Sequence, residues 1–373
     1  MQSNILHIAS LYPNPRDERL GNFVEEHLKA IDPFHKVVVL SAFEADKAEI
    51  VVEKKPFLQV QVRYRKKWPI LSHYLALRKG YKYLKDSGHQ FQLAHLHVCW
   101  PSGIVFLGFL KKLPFIITEH YSGYKKERRH EWSPRAQKIA LRIFNKAEVF
   151  CPVSNDLGLA LKDFGYKGDV KVIGNVVNDS IFQYEPLSSN EKLFRLLHIS
   201  SLQQETKNIK GILNAFAAAV QDDPDLHLSI GGDGDLDLLR KEISIRNIPF
   251  KNIEVLGAMH RDEVAHQMAQ SNAFLLFSFI ENQPAVLLES LCIGRPVIAT
   301  KVGGIPDFIG SEEGLLVKPN DETGLVQAIH QLKAEYNKYA LEGIAKKAKE
   351  THSFEAIGKK FATLYASVLP SKP

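Results

Sequence analysis

Residues 273–307 read Ala-Phe-Leu-Leu-Phe-Ser-Phe-Ile-Glu-Asn-Gln-Pro-Ala-Val-Leu-Leu-Glu-Ser-Leu-Cys-Ile-Gly-Arg-Pro-Val-Ile-Ala-Thr-Lys-Val-Gly-Gly-Ile-Pro-Asp. The apolar run 273–280 predicts a buried strand, and Pro284 can open a helix behind it. Gly294 is placed to end that helix, and 296–300 predict a second strand. A strand, a helix and a further strand in this order are the repeating unit of a parallel α/β sheet.

Two acids in this stretch are placed to hold a ligand. Glu281 follows the predicted strand, and Glu289 lies less than two turns into the predicted helix. The carboxyl end of a strand beside a helix amino end is where open α/β sheets bind small molecules. An ionised carboxylate only accepts hydrogen bonds, which suits a ligand rich in hydroxyls. The alternative is an exposed turn acid followed by a solvated helix acid.

The same stretch closely resembles the signature of retaining glycosyltransferases of family 4, within glycosyltransferase group 1, which share the two-domain GT-B fold. The resemblance runs in order along nearly the whole chain, although 273–307 is its specific part. It implies that Glu281 contacts the hydroxyls of a donor sugar and that Glu289 holds the ribose of its nucleotide. It also places Asn282 and Gln283, where many relatives carry glycines, in the donor-binding loop.

A second donor-binding segment is expected at the strand-to-helix turn 198–211. Family members usually carry an arginine here and, five or six residues later, a lysine, which neutralise the donor's diphosphate. Lys207 matches the lysine, but Ser201 occupies the arginine position. Fixed cations stabilise the charge that builds on a departing diphosphate. Two sources can supply the positive charge of the missing arginine. One is Lys207 together with backbone amides, and the other is a substitute cation from Lys210 or Arg261.

Three residues of the first half are candidates for the remaining contacts. Gly21 ends the long loop after the first strand, where the family carries a glycine so that the backbone can approach donor phosphates and acceptor. His120 follows another strand, and the family's histidine there reaches the donor sugar beside the anomeric carbon. His97 shares a strand face with His95, and we expect it to line the acceptor side or to fill the core. Clustered histidines can bind a metal, but a third ligand is undefined, so no metal is expected.

Short apolar runs alternate with amphipathic stretches along the chain, which predicts α/β architecture with parallel sheets. Two such series in tandem predict two doubly wound, Rossmann-like domains facing each other across a cleft. The predicted strands are 4–9, 36–40, 93–97, 115–118, 147–152, 170–173, 194–199, 226–230, 253–256, 273–278 and 296–300, and the helices include 21–31, 135–146, 208–220 and 261–270. The glycine-rich residues 229–234 lack the full dinucleotide-binding spacing and predict a tight turn.

The polar stretch 183–192 is the predicted linker between an acceptor-side domain, 1–182, and a donor domain, 193–350. The last helix, 354–368, has one apolar stripe. By resemblance to GT-B proteins, this helix, within residues 353–369, returns to pack on the first domain.

Composition limits the setting of the protein. The 373 residues suggest two domains, and the apolar fraction of 45% with a charged fraction of 24% is typical of a soluble enzyme. No apolar run approaches the ~20 residues that span a bilayer. The start of the chain lacks a signal-peptide pattern, so a cytoplasmic location is expected. Three separated cysteines in apolar contexts predict buried, reduced thiols.

Basic charge concentrates in the first half. Residues 1–180 carry 28 Lys or Arg against 18 Asp or Glu, whereas the rest carries 20 against 24. The excess lies in 63–68, 78–85 and 125–129, interleaved with aromatic side chains. These clusters can dock on an anionic membrane surface, grip nucleic acid or form a solvated helix face. Because no nucleic-acid module is visible, we expect no nucleic-acid partner and keep open a peripheral position at the inner face of the membrane.

The reaction implied by the resemblance is transfer, with retention, from a nucleotide-sugar, expected to be UDP-linked, to a glycan, lipid-linked or small-molecule acceptor in polysaccharide or glycolipid assembly. No cofactor or metal is expected, because cationic and amide groups can do what a divalent ion does elsewhere. Three alternatives stay open: an epimerase or hydrolase of nucleotide-sugars with the same fold, a non-catalytic partner subunit, and a membrane- or nucleic-acid-binding module. Ser201 and Asn282-Gln283 are the departures that motivate the partner subunit.

Overall fold

The computed structural model describes residues 5–65, 68–187 and 193–369. The chain divides into two compact units, one holding residues up to Val176 together with those from Phe354 onward, and one spanning Val177–Ser353. The division therefore falls six residues before the predicted domain end at 182. Part of the predicted linker, 188–192, lies outside the described residues.

The first unit is built on a seven-stranded sheet in the order β3-β4-β2-β1-β5-β6-β7. All neighbouring strands are parallel except β3 and β4, which pair antiparallel at one edge. The elements are β1 (Ile5–Ala9), α1 (Asn22–Ile31), β2 (Val37–Glu44), β3 (Glu49–Glu53), β4 (Leu58–Tyr64), α2 (Pro69–Asp86), β5 (Leu93–His97), β6 (Phe115–Glu119), α3 (Pro134–Phe144), β7 (Val149–Pro152) and α4 (Asn155–Phe164).

The second unit has a six-stranded sheet, wholly parallel, in the order β10-β9-β8-β11-β12-β13. Its elements are β8 (Phe194–Ser200), α5 (Gln204–Lys207), α6 (Ile209–Asp222), β9 (Leu226–Gly232), α7 (Leu236–Ile245), β10 (Ile253–Leu256), α8 (Arg261–Ala269), β11 (Ala273–Leu276), α9 (Ala285–Ile293), β12 (Val297–Thr300), β13 (Gly314–Val317), α10 (Glu322–Ala334) and α11 (Leu341–His352). Helices on both faces of a parallel sheet bury nearly continuous apolar strands, which is why these runs were readable in the sequence.

Three strands escaped the sequence prediction, and one prediction was wrong. β3 is an edge strand with a glutamate at each end, and its neighbour β4 alternates polar and apolar residues, so neither has the long apolar run that marks a strand buried on both faces. β13 is only four residues long. The predicted strand 170–173 forms an isolated bridge between Val170 and Phe150, with backbone hydrogen bonds to Phe150 and Pro152 of β7, and not a regular strand.

The last helix, α12 (Phe354–Val368), belongs to the first unit, as the family resemblance implied. It packs against α1 so closely that a side chain at Gly358 would put its Cβ 2.2 Å from the Ala30 carbonyl oxygen. Its buried stripe includes Phe361 and Tyr365. The apolar stripe predicted for this segment is therefore the face that packs into the core of the first unit.

Two further features bear on the setting. Cys99, Cys151 and Cys292 are buried and unpaired, as predicted. Over the described ranges, no helix combines the length and the apolarity that crossing a bilayer requires.

A cluster of buried histidines fills the core of the first unit. His7 Nδ1 and His97 Nε2 lie 3.1 Å apart, and His95 contacts the hydroxyls of Tyr365 at 2.7 Å and Thr118 at 2.6 Å. His97 thus fills the core, the second of the two places expected for it. His7 supplies the third histidine that a metal site needs, with ring nitrogens of the three within 4.8 Å of one another. Because hydroxyls already engage both nitrogens of His95, the contacts favour a hydrogen-bonded core.

These histidines make the stability of the first unit pH-dependent. Burial lowers the pKa of His7 from 6.5 to about 3 and that of His27 to about 4, and it lowers the pKa values of His95 and His97 well below 6.5. The unfolded chain therefore binds more protons than the folded chain once the pH falls below about 6.5. The contribution of these histidines to stability is therefore fully present above about pH 6.5. It is lost as the pH falls towards their lower, folded-state pKa values.

We predict that the free energy of unfolding falls between pH 6.5 and 5, by about 1.4 kcal/mol per pH unit for each histidine that is neutral only in the folded state. Urea unfolding at several pH values measures this slope. His7→Phe keeps an aromatic ring in the core but removes one titrating imidazole. The slope should therefore fall by about 1.4 kcal/mol per pH unit. An unfolding free energy that is constant across this range would contradict the prediction.

Candidate functional site

The candidate site lies where the second sheet changes direction. From β8 the chain builds outward through β9 and β10, then returns to the other side of β8 and builds outward through β11, β12 and β13. The loops that follow β8 and β11 therefore leave the same sheet edge in opposite directions and open a crevice, the usual ligand site of such sheets. Ser201 and Lys207 lie after β8, and Glu281 lies after β11.

An ion pair joins these two loops. Lys207 Nζ lies 2.5 Å from Glu281 Oε1, and the two side chains are only 20% and 9% exposed. The backbone reinforces the contact, because the Phe279 N–H donates to the Thr206 carbonyl oxygen at 2.8 Å. A charged hydrogen bond so shielded from water is stronger than an exposed one. Residues 74 positions apart in the chain thus meet at one point of the crevice.

The placement of Glu281 differs in detail from the sequence prediction. β11 ends at Leu276, so the strand stops before the predicted end at 280 and Glu281 belongs to the loop. α9 begins at Ala285, immediately after Pro284, and is capped after Ile293 by Gly294, whose φ of 86° is the left-handed conformation that glycine adopts easily. The Gly304 N–H donates to the Asn282 carbonyl oxygen at 2.7 Å, which fixes the Asn282-Gln283 segment.

A second cation–carboxylate pair lies on the neighbouring helices. Arg261, the first residue of α8, places its Nη2 3.3 Å from Glu289 Oε1 on α9, and its guanidinium lies 5.6 Å from the centre of the Phe182 ring. Of the two proposed substitutes for the missing arginine, only Arg261 contacts a candidate site residue. Lys210 instead pairs with Glu242 on α7 at 3.3 Å.

The glycine-rich residues 229–234 comprise the end of β9, up to Gly232, and the bend that follows it, and they pack against the Ser201 loop. A Cβ on Gly232, whose φ is 146°, would lie 1.7 Å from the Ser200 carbonyl oxygen, and one on Gly234 would lie 2.7 Å from the Ser201 carbonyl oxygen. The tight turn predicted here is therefore a close approach of two backbones.

In the first unit, Gly21 and His120 follow strands of the first sheet. Gly21 has φ 70°, and a Cβ there would come within 2.5 Å of the Leu11 carbonyl group, so the packing of its own loop already requires glycine. The His120 ring packs against Phe23 at 4.3 Å between centroids and His27 at 5.1 Å. Burial, followed by the nearby His27, lowers the pKa of His120 well below its ordinary value, so the ring is neutral.

Glu119 organises the loop that carries His120. Its carboxylate is fully buried and accepts hydrogen bonds from the backbone N–H groups of Cys99, His120 and Tyr121 at 3.0 Å each. The Tyr124 hydroxyl donates a fourth at 2.9 Å. Burial raises the pKa of Glu119, and these donors partly offset that rise. The sequence showed an acid beside the histidine, but its positioning role emerges only from the fold.

Two family profiles match this chain. "Glycosyltransferase Family 4" matches residues 20–181, and "Glycosyl transferases group 1" matches residues 194–335. The N-acetyl-alpha-D-glucosaminyl L-malate synthase of Bacillus anthracis is 30% identical over 213 residues, 54% of each chain. The chain spans about half of that relative's length, and less of two phosphatidylinositol N-acetylglucosaminyltransferase subunits. The teichuronic acid biosynthesis glycosyltransferase TuaC of Bacillus subtilis is 25% identical and matches 87% of this chain and 88% of its own.

Solved structures support the fold. Sucrose-phosphate synthase from Thermosynechococcus elongatus superimposes with a TM-score of 0.77 at 17% identity, covering 98% of this chain and 99% of that one. Anabaena HepE in complex with UDP-glucose gives 0.74 at 17% identity, again covering 98% and 99%. Both domain profiles match in the expected order, and both units have doubly wound sheets. The chain therefore belongs to the family 4 glycosyltransferases of group 1 and has their GT-B fold.

Proposed function

We propose that this glycosyltransferase moves a sugar from a UDP-linked donor to a glycan, lipid-linked or small-molecule acceptor, with retention at the anomeric carbon and without a metal. The observations that carry the proposal are the Lys207–Glu281 pair in the crevice of the second sheet and the Arg261–Glu289 pair between α8 and α9 of the same unit. Each pair offers one group for hydroxyls and one for phosphate. The HepE structure holds UDP-glucose, and relatives named for glucosaminyl transfer and teichuronic acid synthesis favour polysaccharide or glycolipid assembly.

In this proposal the two carboxylates bind the neutral, hydroxyl-rich parts of the donor. Glu281 accepts hydrogen bonds from sugar hydroxyls, and Glu289 accepts them from the ribose. Each carboxylate has two oxygens with about four acceptor directions, so a cation on one oxygen leaves acceptor capacity for a ligand. The ion pairs hold both side chains in place before the donor arrives, which reduces the ordering cost of binding.

The two cations serve the diphosphate. When the sugar bond breaks, negative charge builds on the leaving diphosphate, and a cation already fixed nearby stabilises it without reorganisation. Lys207 occupies the family's lysine position, and Arg261 compensates for Ser201. A guanidinium can bind two phosphate oxygens at once. These two charges take the place of the divalent ion that other transferases use.

Retention follows in the proposal from attack on the face that the diphosphate leaves. The bond between the anomeric carbon and the phosphate oxygen breaks, and the acceptor oxygen forms its bond on the same face. The acceptor's proton passes to the departing phosphate oxygen, so no carboxylate nucleophile is required. The sugar contact of His120 stays the prediction that the family resemblance implies.

Replacing Glu281 with glutamine should lower kcat by about 100-fold or more, because the group that orients the sugar for attack is weakened. UDP affinity should be unchanged or higher, since Lys207 then carries an uncompensated charge for the diphosphate. Steady-state kinetics and calorimetry with UDP measure the two effects. Glu312→Gln is the control. Glu312 is 81% exposed and lies at the amino end of the edge strand β13, whereas the candidate site lies at the carboxyl ends of β8 and β11. Full transfer by Glu281→Gln would contradict the assigned role.

Arg261 and Glu289 can be separated by comparing UDP with uridine. Glu289→Gln should weaken the binding of both ligands about tenfold, which is roughly 1.4 kcal/mol, because both ligands contain the ribose. Arg261→Gln should weaken UDP binding by a similar factor and leave uridine binding unchanged, because of these two ligands only UDP carries the diphosphate. Lys210→Gln is the matched control for a lost cation, since Lys210 pairs with Glu242. Equal losses for both ligands in Arg261→Gln would show that it does not bind phosphate.

A further inference from the structure

Helix α2 uses only one of its two sides to pack on the first unit. His73, Ala76, Leu77, Gly80 and Leu84 are buried. At Gly80 the fit against the sheet is so tight that a Cβ would lie 2.5 Å from a methyl of Leu40 on β2 and 2.8 Å from one of Val62 on β4. The inner face of α2 is therefore complete, and the opposite face has no part in this core.

The opposite face begins with large apolar side chains in water. Trp68 is 66% exposed, Leu71 53% and Leu75 49%. Leu71 and Leu75 lie four residues apart on one stripe of the helix, and Trp68 immediately precedes the helix. Scattered surface leucines need no explanation, but an aligned group with a tryptophan at its end is typical of an interaction surface. We call Trp68, Leu71 and Leu75 the apolar stripe.

The same face continues with positive charge. Arg78, Lys79 and Lys82 follow at helical spacing and are exposed, as is Lys85. The only acid of α2 is Asp86, which pairs with Lys82 at 2.5 Å. The ring of Phe109 packs against Tyr74 and Tyr81 of α2 at 5.5 Å, and two exposed lysines, 111 and 112, follow it. Of the preceding basic cluster, residues 66 and 67 lie outside the described residues.

We propose that this outer face of α2 docks on an anionic lipid bilayer. The apolar stripe enters the boundary between headgroups and acyl chains, and the following cations lie over anionic headgroups. An amphipathic helix with a tryptophan and leucines beside lysines and arginines has the composition of such interfacial helices. A nucleic acid would match the cations but would leave Leu71 and Leu75 without an apolar environment. A second copy of the chain would bring like charges together.

The proposal rests on α2 alone and does not require the assigned sugar chemistry. Docking through α2 would bring the first unit, the predicted acceptor side, to lipid-linked acceptors at the surface. Binding to vesicles and binding of UDP are therefore separate measurements, and each can fail without the other.

Vesicle flotation with the full chain tests the docking. Vesicles of phosphatidylcholine with about 30% phosphatidylglycerol should bind at least about tenfold more tightly than phosphatidylcholine alone. Leu71→Ser/Leu75→Ser and Arg78→Gln/Lys79→Gln should each weaken that binding about tenfold, and added salt should weaken it further. Leu159→Ser, which removes a leucine 72% exposed on α4, and Lys359→Gln, which removes an exposed lysine of α12, are the matched controls.

All variants should bind UDP as the unaltered chain does, since the substituted side chains lie in water on the first unit. Equal binding to neutral and anionic vesicles, no binding to either, or unchanged binding by both α2 variants would overturn the proposal. So would sedimentation that shows a dimer which only Leu71→Ser/Leu75→Ser dissociates, because the stripe would then be an interface between copies. Intact vesicle binding without UDP binding would instead overturn the proposed function and leave the docking in place.

Discussion

The Lys207–Glu281 ion pair is the contact on which the account of the second unit depends. It joins the loops after β8 and β11, the two strands on either side of the point where the sheet reverses its direction of growth. A lysine and a glutamate in separate loops lose side-chain entropy when they are held together, and an exposed pair barely offsets that loss. Shielding of both side chains and the backbone hydrogen bond beside them strengthen this pair.

The pair also bears on the proposed reaction, which uses no carboxylate nucleophile. A carboxylate already bonded to a cation is a poor attacking group, but it still accepts hydrogen bonds from hydroxyls. The same holds for Glu289 beside Arg261. In the proposal, Arg261 at the start of α8 supplies the positive charge that the family's arginine supplies in the loop after β8, where this chain has Ser201. In this account the two cations belong to the diphosphate and the two acids to the sugars on either side of it.

Much of this arrangement was visible in the sequence, for physical reasons. Strands buried on both faces are continuous apolar runs, and Pro284 and Gly294 bracket α9 as helix punctuation does generally. The edge strand β3 and its neighbour β4 were missed because polar residues interrupt or flank their apolar positions. The Arg261–Glu289 pair and the pairing of His7 with His97 join residues distant in the chain. No local sequence pattern encodes such pairs. The sequence can therefore identify candidate residues, but it cannot show which of them contact each other in the fold.

The most direct measurement is a crystal structure of this chain with a non-hydrolysable UDP-sugar. The account predicts the sugar hydroxyls within hydrogen-bonding distance of Glu281 and the ribose on Glu289. It also predicts the diphosphate against Lys207 and Arg261. A nucleotide bound elsewhere on the chain, with Glu281 still paired to Lys207 and touching no part of the ligand, would contradict it.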